Sequence, residues 1–141
     1  MAAKLISDLF KEVEKTTGRK AKVAKLQSFE QNETFMTILQ AAFDARVVWE
    51  LPDSDPPYVE PEDMMDNTGG LYQEARKLYI FTKNSRSANI HSIKRERLFI
   101  EMLESIHPNE AKLLLSIKNK KVPYKGITKK LIDEAFPGRF Q

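Results

Sequence analysis

The sequence has no cysteine, a single tryptophan, only two histidines and no apolar run long enough to span a membrane. Without cysteine, disulfides, thiolate metal sites and cysteine nucleophiles are all excluded. The two histidines, His91 and His107, are separated in sequence, so a zinc site is not expected. The N-terminus does not resemble a signal peptide, because Asp8 and Lys11 interrupt its apolar residues too early. The sequence therefore indicates a protein that neither spans a membrane nor holds a zinc or redox centre.

The short motifs of many enzymes are also missing, including Gly-x-x-x-x-Gly-Lys, Gly-x-Ser-x-Gly and His-Glu-x-x-His. The segment Asp53-Ser-Asp55 imitates the first ligands of a calcium loop. However, Pro57 and Tyr58 stand where that loop needs a ligand and a glycine. His107 precedes Pro108, which favours a turn or helix-cap role over that of a catalytic base. We therefore predict a non-enzymatic protein without a cofactor or metal.

Composition and charge suggest one soluble domain with an uneven charge distribution. The 141 residues are 41% hydrophobic and 30% charged, which is ordinary for a globular domain. Residues 50–66 hold seven acidic and no basic residues, which leaves 13 acidic and 23 basic residues in the other 124. A basic body attracts polyanions through counterion release. Nucleic acid is therefore the leading partner class, and a solvated surface of mixed charge is the plain alternative.

The apolar residues recur at helical spacing along most of the chain, and no strand alternation is present. We predict helices at about residues 3–16, 19–28, 33–43, 71–82, 89–106, 108–118 and 129–136. Asn32 and Thr128 are predicted caps, and Pro108 suits the first position of its helix. We interpret Val47 to Trp49 as a packed tail of the third helix, with Trp49 in the core. The prediction is a single all-α domain, residues 1–141, with about seven helices.

A long acidic loop interrupts the helices at residues 51–69. It contains Pro52, Pro56, Pro57 and Pro61, which prevent both helix formation and sheet pairing. Neither flank alone carries a convincing core, so the segment is predicted to be a loop within one domain.

Basic residues cluster at helix ends and in the connections between helices. The clusters occupy residues 15–25, 76–97 and 112–139, and the last includes Lys120 and Lys121. In this third cluster a basic loop carries Gly126, and Thr128 then opens the final helix. Helix N-termini present unpaired N–H groups and a positive dipole end, so the turn is a plausible phosphate cradle. For any one cluster, a solvated surface remains the alternative.

The landmarks of the chain resemble the N-terminal DNA-binding domain of T-even-phage-type ATP-dependent DNA ligases. The similar segments are Leu5-Ile-Ser-Asp-Leu-Phe-Lys-Glu-Val, Lys22-Val-Ala-Lys-Leu-Gln, Phe35-Met-Thr-Ile-Leu-Gln-Ala-Ala-Phe, and Gly126-Ile-Thr-Lys-Lys-Leu-Ile-Asp-Glu-Ala-Phe-Pro. The likeness covers roughly residues 4–138. The chain is also similar to small tailed-phage proteins without an assigned function.

This resemblance implies a domain that grips double-stranded DNA, intact or nicked, through its minor groove and backbone. By position it implicates Lys125, Gly126, Thr128 and Lys129 of the terminal turn, and also the loop residues Arg86, Ser87 and Asn89. The sequence lacks a Lys-x-Asp-Gly adenylation motif, so ligation by this chain is excluded. With neither a signal peptide nor a membrane span in the sequence, the expected location is the cytoplasm, here that of an infected host cell, or a virion.

The acidic loop allows two other hypotheses about function. In the first, Asp53 to Asp66 presents carboxylates and Tyr58 to a basic protein, either an enzyme that is modulated or another virion component. In the second, the loop shields the basic groove of its own body. The sequence does not separate these readings from DNA binding.

Overall fold

The structure is a computed structural model that describes residues 5–60 and 70–141. Within these ranges the chain forms α1 (Ile6–Lys15), α2 (Arg19–Ser28), α3 (Glu33–Phe43), α4 (Gly70–Glu74), a 3-10 helix (Ala75–Phe81), α5 (Ser92–Ser105), α6 (Pro108–Ile117) and α7 (Lys129–Ala135). The predicted all-α class is confirmed, with seven α-helices in one compact domain.

The helix starts follow from local side-chain chemistry. The Asn32 Oδ1 atom accepts a hydrogen bond of 3.0 Å from the Phe35 N–H, which caps α3 as predicted. The Thr128 hydroxyl accepts the Leu131 N–H at 3.2 Å and caps α7. His107 caps α6, since its Nδ1 accepts the Asn109 N–H at 3.0 Å. The prediction that His107 is a cap residue is therefore confirmed.

The core forms where the apolar faces of the helices meet. In α1 the buried residues Ile6, Leu9, Phe10 and Val13 recur every three or four positions, so they share one face. Phe10 packs against Phe35 of α3 with ring centroids 4.9 Å apart. Helices α3 and α5 also pack against the 3-10 helix.

The interpretation of residues 47–49 as a helix tail is wrong. α3 ends at Phe43, because the Asp44 carboxylate accepts the Arg46 backbone N–H and holds a turn there. The chain then runs extended, and Trp49 forms an isolated antiparallel bridge with Thr82. The half-buried Trp49 ring packs on the core, and its Nε1 donates to the Ala41 carbonyl at 3.0 Å.

Two other helix boundaries also differ from the predictions. The predicted helix at 71–82 is one short α-helix followed by the 3-10 helix. The helix predicted from residue 89 begins at Ser92, because residues 82–91 form a loop of side-chain-bonded turns. In this loop the Asn84 side-chain amide donates to the carbonyls of Tyr79 and Thr82, both at 2.9 Å.

Residues 51–60 of the acidic loop are non-helical, as predicted, and are bound to the body of the protein. The buried Lys118 ammonium donates to the carbonyls of Pro52 and Asp53, both at 2.9 Å. The Val59 N–H donates to a Glu104 carboxylate oxygen at 2.8 Å. Tyr58 is half-buried and packs against the core. The remaining predicted loop residues, 61–69, lie outside the described residues.

Candidate nucleic-acid interface

The terminal turn before α7 packs on the C-terminal end of α1. Gly126 has a φ of 80°, a conformation that glycine adopts without strain. The Lys125 backbone N–H donates to a Glu14 carboxylate oxygen at 2.6 Å. The Lys22 ammonium donates to the carbonyls of Val13 and Glu14, at 3.1 and 3.0 Å, and lies beside Gly126. The turn is therefore held by groups from both α1 and α2.

This packing changes what the turn offers a phosphate. The Lys125 N–H already has the Glu14 carboxylate as its acceptor, and the Thr128 hydroxyl accepts the Leu131 N–H. The Lys129 ammonium pairs with Asp133 at 2.7 Å, but both side chains are exposed, and such a pair is worth about 0.5 kcal/mol. The side-chain cations of the turn are therefore better placed to contact an anion than its backbone.

Several exposed cations lie on the turn and on the helices packed around it. Helices α1 and α7 both pack against α2. The turn face, as we define it, comprises Lys15, Lys20, Lys125 and Lys130, which are exposed and have no ion-pair partner among the described residues. The neighbouring pairs Arg19–Glu134, at 3.1 Å, and Lys25–Glu12, at 3.3 Å, place some acidic groups on the same helices.

Lys120, which the sequence assigned to the interface, has a structural role. It is the one non-glycine residue with positive φ, 59°, among the described residues. Its ammonium donates to the carbonyls of Ala41 and Asp44, at 3.0 and 2.7 Å, and so neutralises the C-terminal end of α3. Burial lowers the pKa of Lys120, and the Asp44 charge opposes that change. Lys121, in contrast, is exposed and lines a shallow cleft with Lys112 and Asp55.

In the loop at residues 82–91, Arg86 and Asn89 lie at the surface and Ser87 is buried. The Ser87 side chain is fully buried, and its hydroxyl donates to the Thr82 carbonyl at 2.6 Å. The assignment of Ser87 as a side-chain contact to DNA therefore does not fit this structure. Asn89 is exposed, and Arg86 is exposed with its backbone N–H bonded to the Asn84 Oδ1 at 2.9 Å.

Arg95 stabilises this loop from its buried side. The sequence interpretation missed this role. Its guanidinium is buried and donates to the carbonyls of Ile80, Ser87 and Ile90 at 2.9, 3.0 and 3.0 Å. The basic cluster at 76–97 suggested an entirely exposed set of cations. The spacing of Arg95 four residues before Phe99 was the available signal, because it places both side chains on the buried face of α5.

The assigned residues fall into separate groups and do not form one continuous site. The turn residues are attached to α1, α2 and α7, while Arg86 and Asn89 belong to the loop between the 3-10 helix and α5. Lys120 is bonded to the C-terminal end of α3. Within the described ranges, no helix is both long and apolar enough to cross a membrane. The same ranges contain no group of three or more acidic or histidine side chains suited to a metal ion.

The fold and this surface define a compact helical protein with exposed cations on two of its loops and their adjoining helices. The model of a family of unknown function, DUF6433, matches residues 9–124, and the chain therefore belongs to that family. The turn residues Lys125 to Lys129 lie beyond the matched range. No curated protein and no solved structure matches the chain.

Proposed function

We propose that this protein is a non-enzymatic accessory protein that binds duplex DNA through its backbone phosphates without reading the base sequence. The observation that carries the proposal is the turn face together with Arg86 and Asn89 of the second loop. The four turn-face lysines and Arg86 are exposed cations with no carboxylate partner among the described residues, so binding a phosphate would break no internal ion pair. Asn89 is exposed and neutral, and its amide can donate to a phosphate oxygen. The resemblance to ligase DNA-binding domains supports the same partner and suggests nicked duplex as a substrate to compare with intact duplex.

The proposal predicts binding that weakens steeply with salt. Each phosphate neutralised contributes about −0.9 to the slope of log K against log salt concentration. We expect dissociation constants in the micromolar range at about 50 mM salt, measured by gel shift or fluorescence anisotropy on intact and nicked duplexes of unrelated sequences. Failure to bind at that salt concentration, or binding that does not change with salt, would rule out the proposal.

Charge reversal on the turn face tests the location of the interface. The double variant Lys125→Glu, Lys130→Glu should weaken binding to all sequences alike and reduce the salt slope by about 2. The matched control is Arg97→Glu, Lys112→Glu, which changes the net charge equally at exposed cations that lie away from the turn and have no ion-pair partner among the described residues. Equal losses of affinity in the two variants would show that net charge, and not the turn face, determines binding.

A protein partner is the second candidate, and the anchored acidic segment favours it. Asp53, Asp55 and Glu60 are exposed without an ion pair among the described residues, and Val59 is 75% exposed. Because Lys118 donates to the carbonyls of Pro52 and Asp53, the first part of the segment has a defined position at the C-terminal end of α6. Such a surface suits a basic protein with a small apolar contact.

Neutralising the acidic segment separates the remaining alternatives. The variant Asp53→Asn, Asp55→Asn, Glu60→Gln should release a basic protein partner if the segment is the contact surface. If the segment instead shields the body, the same variant should bind DNA several-fold more tightly. A partner that still binds the turn-face variant and is lost from the neutralised one would favour protein binding over DNA binding.

A further inference from the structure

A stacked tyrosine–arginine pair lies beside a cleft on the 3-10 helix. The Arg86 guanidinium carbon is 3.8 Å from the centre of the Tyr79 ring, which is the distance of a cation–π contact. Arg86 is an exposed residue, so part of its side chain remains accessible to a ligand while the guanidinium contacts the Tyr79 ring. A guanidinium plane held in this way can stack a second flat group on its free side.

The loop beneath Arg86 holds it in place before any ligand arrives. Asn84 accepts the Arg86 backbone N–H and donates to two carbonyls of the preceding turn. Arg95 ties Ser87 and Ile90 to the 3-10 helix from the buried side. Because the backbone of the loop is held by hydrogen bonds and the guanidinium rests on Tyr79, Arg86 should lose little conformational entropy when it binds a ligand.

The adjoining cleft has a volume of about 310 Å³, which suits a nucleotide. Its apolar floor includes Val47, Ala75 and Leu78, and Thr82 lies at its polar edge. Arg76 also lines the cleft, and neither Arg76 nor Arg86 has a carboxylate partner among the described residues. The cleft therefore combines a stacking surface, an apolar surface for a sugar and a second guanidinium for a phosphate.

We propose that the Tyr79–Arg86 pair is a stacking platform for one unpaired nucleobase, with Arg76 contacting the adjacent phosphate. This inference rests on the proposed DNA binding and specifies its substrate, because a base can reach the platform only where it is not paired. The protein should therefore bind a duplex with a single-stranded tail more tightly than a blunt duplex.

The variant Arg86→Lys tests the platform, since lysine keeps the charge but lacks the plane. We expect it to weaken binding to a tailed duplex about fivefold or more, and to a blunt duplex by about twofold at most, because stacking on a side chain is worth about 1–3 kcal/mol per base. A 2-aminopurine at the first unpaired position should change its fluorescence on binding the wild-type protein and not the variant. Arg97→Lys, at an exposed arginine without a stacked ring, is the matched control.

The outcomes separate the two proposals. Equal affinity for tailed and blunt duplexes, or an Arg86→Lys variant that behaves as wild type, would overturn the platform and leave duplex binding intact. Binding of neither DNA would overturn both. Because Arg86 is exposed, the variant should fold normally, and circular dichroism would verify this.

Discussion

A carboxylate oxygen of Glu110, at the start of α6, accepts the backbone N–H of Ile6, at the start of α1, at 2.8 Å. The other oxygen accepts the Ser7 N–H at 3.0 Å, and the Glu110 side chain is fully buried. No cation pairs with it among the described residues, so two helix N-termini provide its favourable electrostatic environment. Burial raises the pKa of Glu110 to about 7 from its ordinary value of 4.5; the N–H donors oppose this, and the Asp8 charge adds to it.

Because of Glu110, the free energy of unfolding should decrease as the pH rises from about 4.5 to about 7. The folded state binds this proton more tightly than the unfolded state, so the contribution is complete below pH 4.5 and is lost as pH rises through about 7. In Glu110→Gln this dependence should vanish. The free energy of unfolding of the variant, relative to wild type, should rise by about 2–3 kcal/mol between pH 4.5 and 8, measured by urea titration.

Glu101→Gln is the matched control, because Glu101 is an exposed carboxylate on the neighbouring helix α5. Its urea-unfolding curves should follow those of wild type across the same pH range. Parallel pH curves for wild type and Glu110→Gln would contradict the assigned pKa.

Asp44 should give the free energy of unfolding the opposite dependence on pH. Its enclosed carboxylate accepts the backbone N–H, Nε and Nη2 of Arg46 at 2.9, 3.0 and 2.7 Å. Hydrogen bonding from Arg46 outweighs burial and holds the pKa of Asp44 well below its usual range. Asp44→Asn should therefore lower the free energy of unfolding by about 2 kcal/mol at pH 7. The difference in unfolding free energy between wild type and Asp44→Asn should narrow as the pH falls below 3.8. The control is Asp133→Asn, in an exposed ion pair, which should lower the free energy of unfolding by less than about 0.5 kcal/mol.

Lys120 combines an unfavourable backbone conformation with a favourable side-chain contact, and two substitutions separate them. Lys120→Ala loses the contact to the C-terminal end of α3 and keeps the positive φ, so it should cost about 2 kcal/mol. Lys120→Gly loses the same contact but adopts that φ without strain, so it should cost about 1 kcal/mol less. Calorimetry or urea unfolding would measure both. Equal losses would show that the backbone is not strained.

The same pair of variants tests whether Lys120 contacts DNA. Because its ammonium is occupied by two carbonyls, we expect folded Lys120→Gly to bind DNA within about twofold of wild type. A loss of affinity as large as that of the turn-face variant would place Lys120 in the interface after all.

The helices could be predicted because their signals are local. Asn32, His107 and Thr128 each accept an N–H within the first turn of the helix that they cap, and Pro108 occupies the first position of its helix. Apolar spacing defines the buried faces. The bridge between Trp49 and Thr82 could not be predicted, since it depends on backbone groups more than thirty positions apart. The bond from Lys120 to Ala41 spans 79 residues, so the sequence showed a lysine in a basic cluster and not a helix cap.

Ser87 and Arg95 show the same limit at the candidate site. Both belong to a polar, basic stretch, and both are buried because they satisfy carbonyls of a loop whose shape the sequence does not reveal. Arg86 and Asn89 are exposed, and their contact with DNA stays a prediction. The sequence shows which residues are basic. Tertiary hydrogen bonds determine which of their side chains remain free to contact DNA.

Arg95 should control the rigidity of the loop that carries Arg86. Arg95→Met leaves the carbonyls of Ile80, Ser87 and Ile90 without their donors, which should cost about 3 kcal/mol of stability. Below the unfolding temperature, amide hydrogen exchange should rise at residues 84–91 while α1 stays protected. Arg97→Met, at an exposed position two residues away, should leave the exchange of both segments unchanged. Exchange that rises equally in α1 and in the loop would mean that Arg95 stabilises the whole domain and does not hold Arg86 in place.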